Sequence, residues 1–312
     1  MTIGLPRALL YYKYKYLWEA FFKELGCDII SSPHTDRKIM EGGINLSIDE
    51  CCLPTKIYMG HVKELIGKCD YVLVPRIVSF GKKEDVCVKL NAMYDIVKNT
   101  FSDINILDYN VDKPNGHTES KGFVEMGKIL GNNYHKSLRA YKRAKKIQIL
   151  KEEEVSDAQE KLLASHEDLL KVQKEAPKIL IISHAYNIYD NMLGRPVTDM
   201  ILKMGCIPIY ADKFNKEKCE KEAKKISSCL YWKYNKELIG TIELYKDKVD
   251  GIILLTAFPC GPDSLVNEMV LRKSHGVPIT NIILDELQGE AGLQTRIESF
   301  LDITRQKKLV SR

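Results

Sequence analysis

Short apolar runs alternate with longer stretches of helical periodicity along most of the chain. In the N-terminal half, Ile3–Leu5 reads as a short strand ended by Pro6, Leu9–Leu25 as an amphipathic helix, and Asp28–Ser31 as a second strand. Leu53–Ile66 is helical, Tyr71–Pro75 (YVLVP) is a buried-type strand, Val86–Val97 leads through a short strand or turn into a helix, and Ile104–Asp108 is a further strand. The C-terminal half repeats the pattern with KILIIS (178–183), IPIYA (207–211), GIILLTAF (251–258) and ITNIILD (279–285). Helices fit at about 190–203, 216–226, 233–246, 263–273 and 292–306. Strands that read as unbroken Val, Ile and Leu runs suit sheets covered on both faces, and their alternation with helices predicts βαβ units and parallel sheets, an α/β fold.

The segment between the halves is polar and rich in Lys, Glu, Leu and Ala. Val155, Ala158, Leu162, Ser165, Leu169 and Val172 follow a 3-4-3-4-3 spacing, one apolar seam of a helix. The seam fits a helix packing across both domains; a dimerising coiled coil is the sharper alternative. The expected organisation is therefore an N-terminal α/β domain at 1–133, a helical linker at 134–176 closed by Pro177, and a C-terminal α/β domain at 177–312.

Length agrees, since 312 residues suit two domains. The balance of 47 basic against 42 acidic residues gives a formal charge of +5, with the two signs interspersed, so nucleic acid is not an expected partner. Basic clusters at 136–151, 213–225 and 305–312 read as solvated helix faces, or as a dock for an acidic protein. The longest apolar runs fall far below the ~20 residues of a membrane span, and the opening residues lack the features of a signal peptide. The expected location is the cytoplasm, with no membrane partner.

Nine cysteines change the picture more than charge does. A reducing compartment disfavours disulfides, and no CxxC occurs, so a metal site would be assembled from cysteines distant in sequence. Cys27, Cys69 and Cys206 lie in apolar stretches and read as small hydrophobes. Three others share a setting. Cys52 (DECCLP) stands two residues before Pro54 and Cys260 (FPCGPDS) two before Pro262, each ahead of a helical pattern; Cys87 (EDVCVKL) also precedes a helix. Helix N-termini favour negative charge, and thiolates are the ligands of iron–sulfur clusters, so a shared metal site is one reading and buried cysteines are the other.

SHAYNIYD, from Ser183 to Asp190, follows the first strand of the second half. His184, Tyr186 and Asn187 there can orient a substrate or move protons; alternatively Asn187 or Asp190 caps the next helix and His184 satisfies a loop. The last strand runs into DELQGEAGLQTRIESF, where Asp285, Glu286 and Glu290 can act as acids or bases or form a salt-bridged cap with Arg296. No phosphate-binding loop or dinucleotide fingerprint occurs.

Taken together, IGLPRALLYYKYKYLWEAFFKELG, DECCLPTKIYMGHV, YVLVPRIVS, SHAYNIYD, TAFPCGPDSL and DELQGEAGLQTRIESF resemble the activase-related branch of the 2-hydroxyacyl-CoA dehydratase superfamily, whose relatives include double-cubane-cluster reductases and benzoyl-CoA reductase subunits. The resemblance runs from Ile3 to about Asp302. It implies two Rossmann-like parallel-sheet domains joined by the long helical segment, with an iron–sulfur cluster in the interdomain cleft. The matching ligands are Cys52, Cys87 and Cys260, while Cys51 falls where relatives carry a small residue. Three thiolates leave one iron of a [4Fe-4S] cube open to water, hydroxide or substrate, or linked to a second cube in an [8Fe-9S] double cubane.

The resemblance further implies an anaerobic system in which a homodimer takes low-potential electrons from a separate ATP-hydrolysing activase that carries its own iron–sulfur cluster. The expected function is reduction of a small substrate at the open iron, an oxidoreductase component with His184, Tyr186 and Glu286 donating protons or positioning the substrate. Alternatives are a 2-hydroxyacyl-CoA dehydratase-type component and a non-catalytic electron-transfer or scaffold subunit. The chain departs from the family pattern at Tyr16, where a Pro is expected, and at Leu287, where a polar residue is expected.

Overall fold

The computed structural model describes residues 1–164, 176–274, 276–287 and 289–310. Ser165, Leu169 and Val172 of the expected helical seam lie outside the described residues. The chain divides into two compact units, Met1–Lys151 with Tyr231–Lys233, and Glu152–Leu230 with Tyr234–Arg312.

In the first unit the elements run β1 (Thr2–Leu5), α1 (Tyr11–Leu25), β2 (Asp28–Ser31), α2 (Arg37–Ile44), α3 (Leu53–Leu65), β3 (Tyr71–Leu73), β4 (Arg76–Ser79), α4 (Val88–Thr100), β5 (Ile106–Leu107), β6 (Asn110–Asp112), α5 (Glu119–Ile129) and α6 (Tyr134–Ala164). The main sheet is parallel in the order β2-β1-β3-β5, and β4 pairs with β6 in a second parallel sheet. Ile3, Leu5, Leu73 and Leu107 are buried on the main sheet, and Leu17, Phe21 and Phe22 are buried on α1. The helix α1 stops at Gly26, whose left-handed φ of 81° closes the last turn. The pair α2 and α3 meet backbone to backbone: a Cβ on Gly43 would fall 1.9 Å from the Lys56 carbonyl oxygen, and one on Gly60 2.0 Å from that of Ile39. Only glycine permits that approach.

In the second unit the elements are β7 (Lys178–Ile182), α7 (Ala185–Ile188), α8 (Gly194–Lys203), β8 (Ile207–Tyr210), α9 (Lys216–Ile226), α10 (Lys233–Tyr245), β9 (Gly251–Ala257), α11 (Gly261–Lys273), β10 (Ile279–Leu284) and α12 (Glu290–Val310). Its sheet is parallel in the order β10-β9-β7-β8. Every residue of β7 and β9 is buried, which is why both read as continuous apolar runs. Counted from the first strand of each sheet, both units follow the same order, second-first-third-fourth, so the expected α/β architecture with parallel sheets is the observed one.

The helix α6 contributes to both units. Its first part is tied to the first unit by Tyr141 and Lys145, each 2.7 Å from Glu119, and by Arg143 at 2.9 Å from Glu24. Its second part is tied to the second unit through Gln159, which accepts from the Tyr210 amide at 2.8 Å, and through the Leu163 carbonyl, which accepts from Lys178 at 2.6 Å. Near residue 231 the chain re-enters the first unit: the Asp85 amide donates to the Tyr231 carbonyl at 3.1 Å, and the Lys233 amide to that of Asp85 at 2.9 Å. Among the described residues, no helix is long and apolar enough to cross a membrane.

Candidate functional site

In an open parallel sheet the crevice for a ligand lies beyond the carboxyl ends of the strands where the strand order reverses. In the first unit the reversal falls between β1 and β3, and in the second between β7 and β9.

At the reversal in the first unit, an apolar cavity is lined by Leu9, Leu10, Trp18, Tyr58, Leu90 and Met93. Leu9 holds a positive φ of 46°, an uncommon conformation for a side chain of this size and a cost tolerated where the surroundings enforce it. The helices α3 and α4, which supply Tyr58, Leu90 and Met93 to the cavity, begin at two of the singled-out cysteines. Cys52 is the N-cap of α3, with Pro54 in the first turn, and Cys87 is the N-cap of α4. The Lys89 ammonium donates to Cys51 Sγ at 3.4 Å, so the starts of α3 and α4 lie within the reach of one lysine side chain. Cys51 is itself buried.

The expectation that a helix start makes a thiolate does not hold for Cys52. Burial pushes its thiol up, and the opposing pull of the Thr55 hydroxyl and amide and of Lys89 is too small to reverse that. The Thr55 hydroxyl lies 3.2 Å from Cys52 Sγ.

Beyond β1 and β2, His61 is fully buried between two hydroxyls, with Ser32 Oγ 2.8 Å from Nδ1 and Thr35 Oγ1 2.9 Å from Nε2. Ser32 Oγ also accepts from the Arg7 amide at 2.8 Å, and the Arg7 guanidinium donates to the Ser32 carbonyl at 3.0 Å. Burial, with Arg7 and His34 adding to it, pushes the His61 imidazole down to about 4 against the opposing pull of Asp36 and Glu64. Sequence reading did not find this group, because its partners are 29 and 26 residues away.

At the reversal in the second unit, Cys260 is the N-cap of α11 directly after β9, with Pro262 in the first turn. Both Cys-x-Pro sequences are therefore helix starts, with proline where its missing N–H costs no helical bond. His184, directly after β7, places Nε2 3.0 Å from Asp263 Oδ1. Asn235 Nδ2 donates to the same oxygen at 2.8 Å, and the Thr256 hydroxyl donates to Oδ2 at 3.0 Å. Burial alone would raise the Asp263 carboxyl, but His184 and the hydrogen bonds from His184, Asn235 and Thr256 hold it at about 2. The Tyr186 ring stacks on the His184 ring at 4.9 Å with 15° between planes.

The structure thus joins His184, Tyr186 and the start of the Cys260 helix through Asp263, a residue the sequence reading passed over. FPCGPDS contains it, but an acid in the first turn of a helix reads as a dipole partner, and its own partners lie 79, 28 and 7 residues away. Asn187 is buried and donates to Ser183 Oγ at 3.2 Å, while its own carbonyl oxygen has no hydrogen-bond partner among the described residues. Asp190 Oδ1 accepts from the Met192 and Leu193 amides and so shapes the entry to α8. Glu286 follows β10, one strand removed from β7 across β9, and stands half-buried. Arg296 does not cap the neighbouring acids; its guanidinium donates to the Asn281 carbonyl at 2.8 Å.

Three further cysteines have local roles. Cys206 is buried beside Arg305, Cys69 donates to the Leu65 carbonyl at 3.4 Å, and Cys219 accepts from the Thr241 hydroxyl at 3.4 Å. No group of three or more His, Cys, Asp and Glu side chains is disposed to hold a metal ion among the described residues.

Two parallel α/β units, with helix-start cysteines and a buried Asp–His pair where the strand order reverses, define a protein of the α/β class. Residues 2–214 match the family model described as CoA enzyme activase uncharacterised domain (DUF2229), and the chain belongs to that family. No curated protein matches the chain.

Proposed function

We propose that this chain is an iron–sulfur redox protein of the 2-hydroxyacyl-CoA dehydratase and activase-related superfamily. It accepts low-potential electrons from an ATP-hydrolysing activase and reduces a small substrate. The ligands are Cys52, Cys87 and Cys260. The observation that carries the reading is the common placement of these three thiols, each the N-cap of a 13-residue helix. The donor set suits the group, because cluster ligands are thiolates and a coordinating iron takes the proton off a thiol that burial otherwise keeps protonated, as at Cys52. A bound cluster supplies one-electron redox chemistry.

The chain's own residues do the rest. His184 and Tyr186, stacked at the carboxyl end of β7, deliver a proton or orient the substrate, and Glu286 beyond β10 is the third proton-handling group. The Phe258 side chain is exposed two residues before Cys260 and gives an apolar border to that helix start. Membership in a family described by CoA enzyme activation favours an electron donor of the activase type.

Replacing Cys260 with Ala and measuring iron after anaerobic purification tests the assignment. Loss of most iron is expected, and full iron retention would remove Cys260 from the ligand set. A second reading, a dehydratase-type component acting on 2-hydroxyacyl-CoA esters, draws on the same family description. It requires saturable binding of CoA esters, measurable by calorimetry, and no binding at millimolar ester would exclude it.

A further inference from the structure

We propose that Asp263 is a positioning residue that holds the His184 imidazole as its Nε2–H tautomer, leaving Nδ1 to take up and return a proton at the carboxyl end of β7. The proposal deepens the reading of His184 as a proton-handling group and rests on it.

The tautomer follows from the donors around Asp263. Its Oδ1 receives the Asn235 amide N–H at 2.8 Å, and its Oδ2 receives the Thr256 hydroxyl at 3.0 Å. Burial opposes ionisation, but His184 and these bonds hold the carboxyl low, so at neutral pH it is a carboxylate and accepts only. The ring nitrogen 3.0 Å from Oδ1 must then donate. A neutral imidazole with Nε2–H has its lone pair on Nδ1.

Orientation is fixed from four elements. Asn235 belongs to α10, Thr256 to β9, Asp263 to α11, and the stacked Tyr186 ring, of α7, covers one face of the imidazole. This is more constraint than a ring in a loop requires. It contrasts with His61, whose two ring nitrogens are both engaged by hydroxyls in a fully buried site. The His184 side chain keeps 10% of its surface exposed, and among the described residues no hydrogen bond reaches Nδ1.

The proton balance is simple. An O–H or N–H acid gives its proton to Nδ1, the ring gains a positive charge, and the Asp263 carboxylate faces that charge. The proton later leaves by the same atom, so Asp263 neither gains nor loses one.

Two readouts on the full-length protein test this without regard to iron. Ring-15N spectra of His-labelled protein, with the His184 signals assigned by their loss in His184→Gln, should show that the neutral ring carries its proton on Nε2 and leaves Nδ1 bare. An Nδ1–H tautomer would overturn the proposal. Diethyl pyrocarbonate followed by peptide mapping should carbethoxylate His184 and spare His61; a His184 as inert as His61 would also overturn it.

Asp263→Asn keeps the shape but replaces the carboxylate with an amide. It should slow modification of His184 about tenfold, the difference between a charge-assisted and a neutral hydrogen bond. Equal rates in the two proteins would leave Asp263 a merely structural partner and refute its role. The wild-type tautomer needs no variant, so it decides the matter even where Asp263→Asn does not fold. A chain that binds no iron would refute the redox reading and leave this result standing.

Discussion

Acidification should unfold the first unit through His61, by an amount the structure fixes. The imidazole is fully buried between Ser32 and Thr35, and burial, Arg7 and His34 together push it down to about 4. An unfolded His titrates near 6.5. Below pH 6.5 the unfolded chain therefore takes up a proton that the folded chain refuses, so stability is full above 6.5 and falls with pH. The loss levels off once the folded group also protonates, near pH 4. A separation of about 2.5 units at 1.36 kcal/mol each amounts to about 3 kcal/mol.

Both tryptophans of the chain, Trp18 and Trp232, belong to the first unit, so their fluorescence in urea reports this unit selectively. The assay compares wild type with His61→Gln from pH 7 to pH 4. The variant starts less stable but lacks this titration, so wild type should lose about 3 kcal/mol more across the range. Parallel pH dependences in the two proteins would refute the reasoning, since Asp36, Glu64 and His34 are common to both.

Other consequences follow from packing and charge. Asp263→Ala leaves His184, Asn235 and Thr256 without their buried acceptor and should destabilise the second unit by about 3–5 kcal/mol, measured as faster amide exchange along β9 and α11. Gly43→Ala drives a methyl into the Lys56 carbonyl and should cost about 3 kcal/mol of first-unit stability, read from the urea midpoint of tryptophan fluorescence. Cys206→Ala removes a thiol buried beside Arg305 and should leave iron content unchanged while lowering the thermal midpoint.

Much of the fold was legible because parallel strands buried on both faces cannot hide. The runs at 178–183 and 251–258 appear as β7 and β9 with their ends shifted by one residue, and the helix expected at 216–226 is α9 without change. The elements that escaped have weak patterns for physical reasons. The strands β4 and β6 have four and three residues, too few for a period to show, and α2 carries Gly42 and Gly43 because close contact with α3 requires a bare backbone at Gly43.

In the same way α5 contains Gly122 and Gly127, where a Cβ on the latter would strike Ser137. Glycine is a poor helix former in sequence terms, and here it is retained for packing. In the basic clusters, Arg143, Lys145 and Lys216 form ion pairs with Glu24, Glu119 and Glu152 and keep part of their side chains in solvent.

Of the candidate site, the helix-start placement of Cys52 and Cys260 was legible because Cys-x-Pro declares a helix start, and that of Cys87 from the helical pattern that follows it. The bonds that give His184 its orientation were not. Hydrogen bonding across 79 residues leaves no local trace, and Asp263 is conspicuous only once β7 and β9 lie side by side. His61 is the parallel case in the first unit, a buried polar group whose partners are fixed by tertiary structure.

The proposed iron–sulfur cluster on Cys52, Cys87 and Cys260 has a direct chemical signature. Iron and acid-labile sulfide per chain, with an EPR spectrum of the reduced protein after anaerobic purification, test it most directly. About four irons per chain are expected for a single cube and about eight for a double cubane, with a paramagnetic signal on reduction. A protein that holds no iron after anaerobic reconstitution would contradict the claim.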